Sequence, residues 1–273
     1  IQDMADFVGD SLALAQKAAT TDADIIVMCG VHFMGETSKI LCPDKKVLVP
    51  DLEATCSLAE SCPADKFAEF VAQHPDHTVI SYVNTTAATK AVTDIVVTSS
   101  NAREIVESLP QDTPIIFGPD RNLGGYINSI TGRNMLLWDG ACHVHEKFSV
   151  EKIIELKNQY PDAKVLVHPE CKGAVVKLAD KVGSTAALLK YSINDSSDIF
   201  IVATESGILH EMQKACPEKT FIPAPPSDST CACNECSYMK LVTMQKLYDC
   251  LLNESPEIHV DAEVAEKAIL PIN

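Results

Sequence analysis

Three cysteines stand in closely matched settings far apart in the chain. Cys56, Cys142 and Cys236 each open a helix-like stretch and precede Pro75, Pro161 and Pro256 by 19, 19 and 20 residues. Counting from Cys231 or Cys233 would break the match, so Cys236 is the third equivalent. Three thiols that converge in a reducing compartment point to a metal site. Structural zinc normally takes four nitrogen or sulfur ligands with close C-x-x-C pairs, whereas these three are 86 and 94 residues apart. An iron–sulfur cluster on three cysteines suits them better, because one iron is left without a protein ligand and is free to act as a Lewis acid on a substrate oxygen. A cysteine in an apolar run is by default a small buried hydrophobe, and Cys29, Cys42, Cys62, Cys171, Cys216 and Cys250 are read that way. Cys231 and Cys233 are either a redox-responsive pair or incidental neighbours of Cys236.

The elements that must position these thiols repeat as well. Three apolar strands begin Asp-Ile, at Asp24, Asp94 and Asp198, and each runs into an amphipathic helix and then a second strand: "KKVLVPD", "TPIIFGPD" and "KTFIPAP". β-Branched runs that give way to a helical period are the pattern of parallel β-α-β units with buried strands. Two units carry a further strand and helix in front, "HTVISYVNTTAATKAVT" and "AKVLVHPECKGAVVKLADKVG"; the first has only the helix "SLALAQKAAT". The fold class expected is α/β: three pseudo-threefold-related three-layer α/β/α domains with parallel sheets around a central cluster. The boundaries are 1–58, 59–161 with its linking helices, and 162–273 with a C-terminal helix. Each cysteine then falls in a loop at the carboxyl end of a sheet, where open α/β folds place their ligands. The chain begins at Ile1 in a helix-like segment, and an upstream portion carrying the first unit's opening strand is expected.

Composition narrows the chemistry. A formal charge of −16 argues against a protein that grips phosphate backbones, so nucleic acid is not an expected partner. The longest apolar runs fall far short of the roughly 18 residues a membrane helix needs, and a soluble, cytoplasmic protein is expected. Eleven cysteines scattered over a long chain do not make the compact disulfide framework of a small secreted domain.

Ten short stretches in order carry a resemblance: "GDSLALA", "GVHFMGETSKIL", "PDLEATCSLAESC", "YVNTTAATKA", "TSSNA", "PDRNLGGYI", "WDGACHVHE", "VHPEC", "GST" and "CACNECSYM". Together they resemble the quinolinate synthase family, the iron–sulfur enzymes of NAD biosynthesis, over nearly the whole chain. The resemblance implies a [4Fe–4S] cluster on Cys56, Cys142 and Cys236, and condensation of iminoaspartate with dihydroxyacetone phosphate to quinolinate, phosphate and water. It also makes the iminoaspartate-producing oxidase a candidate protein partner. The family's first strand carries a histidine and a tyrosine that help bind substrate, and this chain begins after it. The position after the last ligand, often proline in the family, is Ser237 here.

By the same resemblance Tyr82 is a catalytic acid/base or an orienting hydroxyl, Asn84 holds a substrate carboxylate, and His168 and Glu170 relay protons during ring closure and dehydration. Ser184 and Thr185, with Ser11 and Ser99, are expected to hold phosphate or carboxylate at helix starts. Each of these hydroxyls, like Asn84, could equally serve as a plain helix cap. His143 and His145 either donate to the cluster or substrate or are surface residues; Phe33 and Met34 line the substrate pocket or belong to the core. Two rivals stand beside the enzyme: a non-catalytic cluster-binding relative or sensor, and a zinc-binding structural protein.

Overall fold

A computed structural model describes residues 1–227 and 234–272; Cys231 and Cys233 lie outside the described residues. The first unit runs α1 (Ser11–Thr20), β1 (Ile25–Val27), α2 (His32–Leu41) and β2 (Lys46–Leu48), followed by α3 (Ser57–Glu60) and α4 (Ala64–Ala72). The second has β3 (Thr78–Tyr82), α5 (Ala87–Lys90), β4 (Ile95–Val97), α6 (Ala102–Ser108), β5 (Ile115–Phe117), α7 (Arg121–Thr131) and β6 (Leu136–Leu137), then α8 (Val150–Gln159). The third has β7 (Lys164–Val167), α9 (Gly173–Val176), β8 (Lys181–Val182), α10 (Thr185–Asn194), β9 (Ile199–Ala203), α11 (Ile208–Ala215) and β10 (Thr220–Pro223). It ends in α12 (Met244–Asn253) and α13 (Ala262–Ala268).

All named strand pairs are parallel. The two four-stranded sheets, β4-β3-β5-β6 and β8-β7-β9-β10, share one plan: the first strand lies between the second and third, and the fourth flanks the third. Alternate side chains of a strand point to opposite faces, and both faces here are covered. Ile115 and Phe117 join one core cluster and Ile116 another; Phe200 and Val202 separate in the same way from Ile201 and Ala203. These are three-layer α/β/α sheets, as the strand composition predicts.

The repeat registers differently from the Asp-Ile alignment. Asp94 opens β4, the second strand of its sheet, and its carboxylate accepts the Val79 N–H at 2.8 Å; Asp180, at the start of β8, accepts the Val165 N–H at the same distance. Asp24 and Asp198 instead open strands that pair directly with the next, through Lys46 and Thr220 N–H donated to their carbonyls. The structural counterpart of β1 and β9 is therefore β5, and β3 lies between β4 and β5. A two-residue string was too short to fix that assignment.

In the corrected register every unit ends strand, helix, strand, cysteine: β1-α2-β2-Cys56, β5-α7-β6-Cys142 and β9-α11-β10-Cys236. A cation just before each of these last strands caps the carboxyl end of an earlier helix. Lys45 donates to the Ala18 and Thr21 carbonyls, Arg133 to those of Val106 (2.8 Å) and Leu109 (2.5 Å), and Lys219 to those of Ser192 (2.8 Å) and Asp195 (2.6 Å). These bonds satisfy the orphan carbonyls of α1, α6 and α10 and complement the helix dipole.

The stretch after each cysteine is broken, where one amphipathic helix was expected. A short turn of helix comes first, Ser57–Glu60, His145–Lys147 or Met239–Leu241, and the long helix starts afresh from an N-cap seven residues beyond the cysteine, at Pro63, Ser149 or Thr243. Ser149 and Thr243 accept the Lys152 and Lys246 N–H groups. Among the described residues no helix is long and apolar enough to cross a membrane.

Candidate active site

Each candidate thiol is held by its own loop. Cys56 is the N-cap of α3; Cys142 donates its N–H to Asp120 Oδ2 at 3.0 Å, and Cys236 donates its own to Glu205 Oε1 at 3.2 Å. Burial raises the Cys236 thiol, against the pull of the Met239 and Tyr238 N–H groups. Burial, reinforced by Cys142, pushes the Cys56 thiol up to about 12, against the pull of the Ala59 and Leu58 N–H groups. All nine described cysteines are free. Of those read as core, Cys42, Cys62, Cys171, Cys216 and Cys250 are buried, while Cys29 is exposed.

Against Cys142 lies a group of buried acids and bases. The Tyr82 hydroxyl donates to Glu170 Oε1 at 2.9 Å. His145 Nδ1 is 3.2 Å from Glu170 Oε2, and His168 Nδ1 is 3.6 Å from Oε1. The two imidazoles stack with centroids 4.8 Å apart. The outer nitrogens are tied to hydroxyls: His145 Nε2 meets Thr204 Oγ1 at 3.1 Å and His168 Nε2 meets Ser99 Oγ at 3.3 Å. The His145–Glu170 contact has an ion pair's distance but not a hydrogen bond's alignment, so His145 Nδ1 is buried without a hydrogen-bond partner.

Their electrostatics divide the roles. Burial alone would raise the Glu170 carboxyl, but the two histidines and the Tyr82 hydroxyl outweigh it and hold it below the ordinary range. Burial, and then the Glu170 charge, lift the Tyr82 phenol well above its usual value. Burial pulls His168 down to about 4. For His145 burial is overcome by Cys142 and Glu170, and the ring is pushed up. Near neutral pH the set holds a protonated phenol, a carboxylate and a neutral imidazole, with the proton affinity of the second ring raised, pKa values pushed apart as acid–base chemistry requires.

A second wall is made of hydroxyls at helix starts. Ser11 and Thr185 are the first residues of α1 and α10, whose N-caps Asp10 and Ser184 accept Ala13 N–H (2.9 Å) and Ala187 N–H (3.3 Å). The Ser100 hydroxyl donates to Ser184 Oγ at 3.0 Å and lies 3.5 Å from Asp10 Oδ2, bringing the two helix starts to the loop that carries Ser99. Asn84 is half-buried and makes no side-chain hydrogen bond among the described residues. Fully buried Lys90 holds the backbone on either side of it, donating to the carbonyls of Val83 (2.8 Å) and Thr85 (2.5 Å) with its ammonium over the Phe33 ring. Burial lowers that lysine to about 7. Phe33 is buried beside Cys56 and Tyr238.

The geometry thus brings Tyr82, Glu170, His168 and Ser99 into one bonded group, and the loop of Ser99 to Ser184. His145, which the sequence left between site and surface, is buried inside that group. Asp120 and Asn122 were not foreseen. Asp120 caps α7 through the Asn122 and Leu123 N–H groups while its other oxygen takes Cys142, and Asn122 donates to the Glu170 carbonyl at 3.0 Å. The Pro-Asp before an apolar helix signals a cap; nothing in it signals the second bond.

Among the described residues Cys142, His145 and Glu170 form a donor set that could hold a metal, their ligand atoms lying within 4.8 Å of one another. A three-layer α/β scaffold with a free thiol set against a buried acid–base group is that of an enzyme with a site able to hold a metal. The family model for Quinolinate synthetase A protein matches residues 1–273. Quinolinate synthases of Thermosynechococcus vestitus, Synechococcus sp. and Chloroherpeton thalassium are 58, 57 and 56% identical over 272 residues, covering this chain fully and 85, 85 and 84% of those proteins. The chain belongs to the quinolinate synthase family.

Proposed function

We propose that the chain condenses iminoaspartate with dihydroxyacetone phosphate to quinolinate, phosphate and water, using a [4Fe–4S] cluster held by Cys56, Cys142 and Cys236. The observation that carries this reading is the buried Tyr82–Glu170–histidine group set directly against one of three free thiols from separate segments. The donor chemistry fits a cluster better than one ion. Structural zinc normally takes four nitrogen or sulfur ligands with close pairs in sequence, whereas these are three free cysteines on separate segments, the number that leaves one iron of a cluster without a protein ligand. His145 Nδ1, 3.2 Å from Glu170 Oε2, is a further polar atom buried beside Cys142. When bound, the cluster supplies Lewis acidity at an iron that carries no protein ligand.

The chain's own residues then divide the work. Tyr82 keeps its proton until a substrate atom needs it, and Glu170 is the carboxylate that accepts one. His168, neutral and tied to Ser99, relays protons at Nδ1. Ser11, Ser99, Ser184 and Thr185 offer hydroxyls and helix-start N–H groups to phosphate and carboxylate, and Asn84 offers its uncommitted amide to a carboxylate. Burial of the acid–base group keeps water from a hydrolysable imine. On this reading the units 1–58, 59–161 and 162–273 surround the cluster about a pseudo-threefold axis, in a cytoplasm that keeps the thiols reduced, and the iminoaspartate-producing oxidase is the partner that supplies substrate. Anaerobically purified protein given iminoaspartate and dihydroxyacetone phosphate should form quinolinate and release phosphate, and Tyr82→Phe should form far less. A cluster-bearing protein that yields no quinolinate would overturn the reading in favour of a non-catalytic relative.

A further inference from the structure

Residues within four positions after the three cysteines join into a closed ring. Ser57 follows Cys56, His143 follows Cys142, and Tyr238 lies two residues beyond Cys236. The Ser57 hydroxyl accepts the His143 backbone N–H at 3.2 Å and meets His143 Nδ1 at 2.6 Å. The His143 ring packs edge-on against Tyr238, centroids 5.8 Å apart at 72°. The Tyr238 hydroxyl donates to Glu60 Oε2 at 2.9 Å, on the short helix that Cys56 caps, and Thr55 donates to Glu60 Oε1 at 2.5 Å. Each pair among the three cysteine segments is thus tied by direct side-chain contact, and each of these contacts lies within four residues of a cysteine.

We infer that Ser57, His143, Tyr238 and Glu60 form a clasp that holds the three cysteine loops in place and governs how fast the metal group is gained and lost. The inference rests on the proposed cluster ligands and adds positioning residues to them. None of the four has to touch the substrate. The physical reason is loop entropy: three thiols on segments more than 80 residues apart can bind one group jointly only if their loops are held together, and side-chain bonds between those loops meet part of that cost before the group arrives. The clasp also borders the solvent-facing cleft beside Cys56, which Thr55, Glu60 and Ala59 help to line.

The test uses the full chain, reconstituted anaerobically to matched iron content, and follows the loss of visible absorbance in excess ferrous-iron chelator. His143→Ala should speed that loss by about fivefold or more, the effect of one hydrogen bond, and Tyr238→Phe by a smaller factor. His143→Asn, whose amide oxygen can still meet Ser57, should fall between His143→Ala and the unaltered chain. In cluster-free protein, alkylation of Cys56, Cys142 and Cys236 should be faster in His143→Ala. Equal release and alkylation rates in all variants, with a cluster present, would overturn the clasp alone. An unaltered chain that binds no iron and sulfide would overturn the ligand assignment and the clasp with it.

Discussion

The two walls of the site differ in what they can do with a proton. On one side Tyr82, His145, His168 and Glu170 are buried, titratable and in mutual contact, and their proton affinities are pulled apart by burial and by one another. On the other, Ser11, Ser99, Ser184, Thr185 and Asn84 are neutral groups at helix starts and turns, which donate hydrogen bonds but do not titrate near neutral pH. The first wall is suited to moving protons and the second to holding anions. The contrast teaches that rate and affinity should be separable by mutation in this fold, because different elements carry them.

The sharpest break is expected at Glu170. Glu170→Gln keeps the shape and removes the proton acceptor, so kcat should fall by roughly 10² to 10⁴ while the visible absorbance of the bound metal group persists; steady-state kinetics and a spectrum on one sample check both. A smaller effect separates the walls by pH. His168 has its folded pKa lowered to about 4, so between that value and its unfolded value of about 6.5 the unfolded chain binds more protons, and stability falls on acidification through this window. Urea unfolding of the cluster-free chain should lose about 2 kcal/mol between pH 7 and pH 5 through His168, a component that His168→Gln lacks and Ser184→Ala retains. The smallest effect belongs to the neutral wall. Ser184→Ala should raise KM for dihydroxyacetone phosphate by about tenfold, as expected for one lost hydrogen bond to a charged group, with kcat close to unchanged.

Much of this arrangement was legible in the sequence, for definable reasons. The cysteine spacing could be read because a repeated loop and helix keep covalent length constant, and the N-caps seven residues on repeat the same length. Buried parallel strands announce themselves through β-branched runs such as Ile199–Ala203, which is buried along nearly its whole length. Strand order was not legible. Whether β4 pairs with β3 or β5 is decided by tertiary packing, and the same Asp-Ile string opens strands in different sheet positions. The break after each cysteine was visible only as Pro63, Ser149 and Thr243, single residues inside an otherwise amphipathic period. His145 could not be assigned because burial, which makes its ring part of the site, is a property of the fold. Lys90 was hidden for the opposite reason: a lysine in an alanine- and threonine-rich helix suggests an exposed face, yet here it is enclosed and bonded to two carbonyls.

The central claim is that Cys56, Cys142 and Cys236 jointly hold one iron–sulfur cluster. Iron and acid-labile sulfide should be measured, with the visible spectrum, in the anaerobically reconstituted chain and in Cys56→Ala, Cys142→Ala, Cys236→Ala and Cys171→Ala. The account predicts four irons and four sulfides per unaltered chain, the same in Cys171→Ala, and loss of the absorbance in each of the other three. An intact cluster in any one of those three, or zinc alone in the unaltered chain, would contradict it.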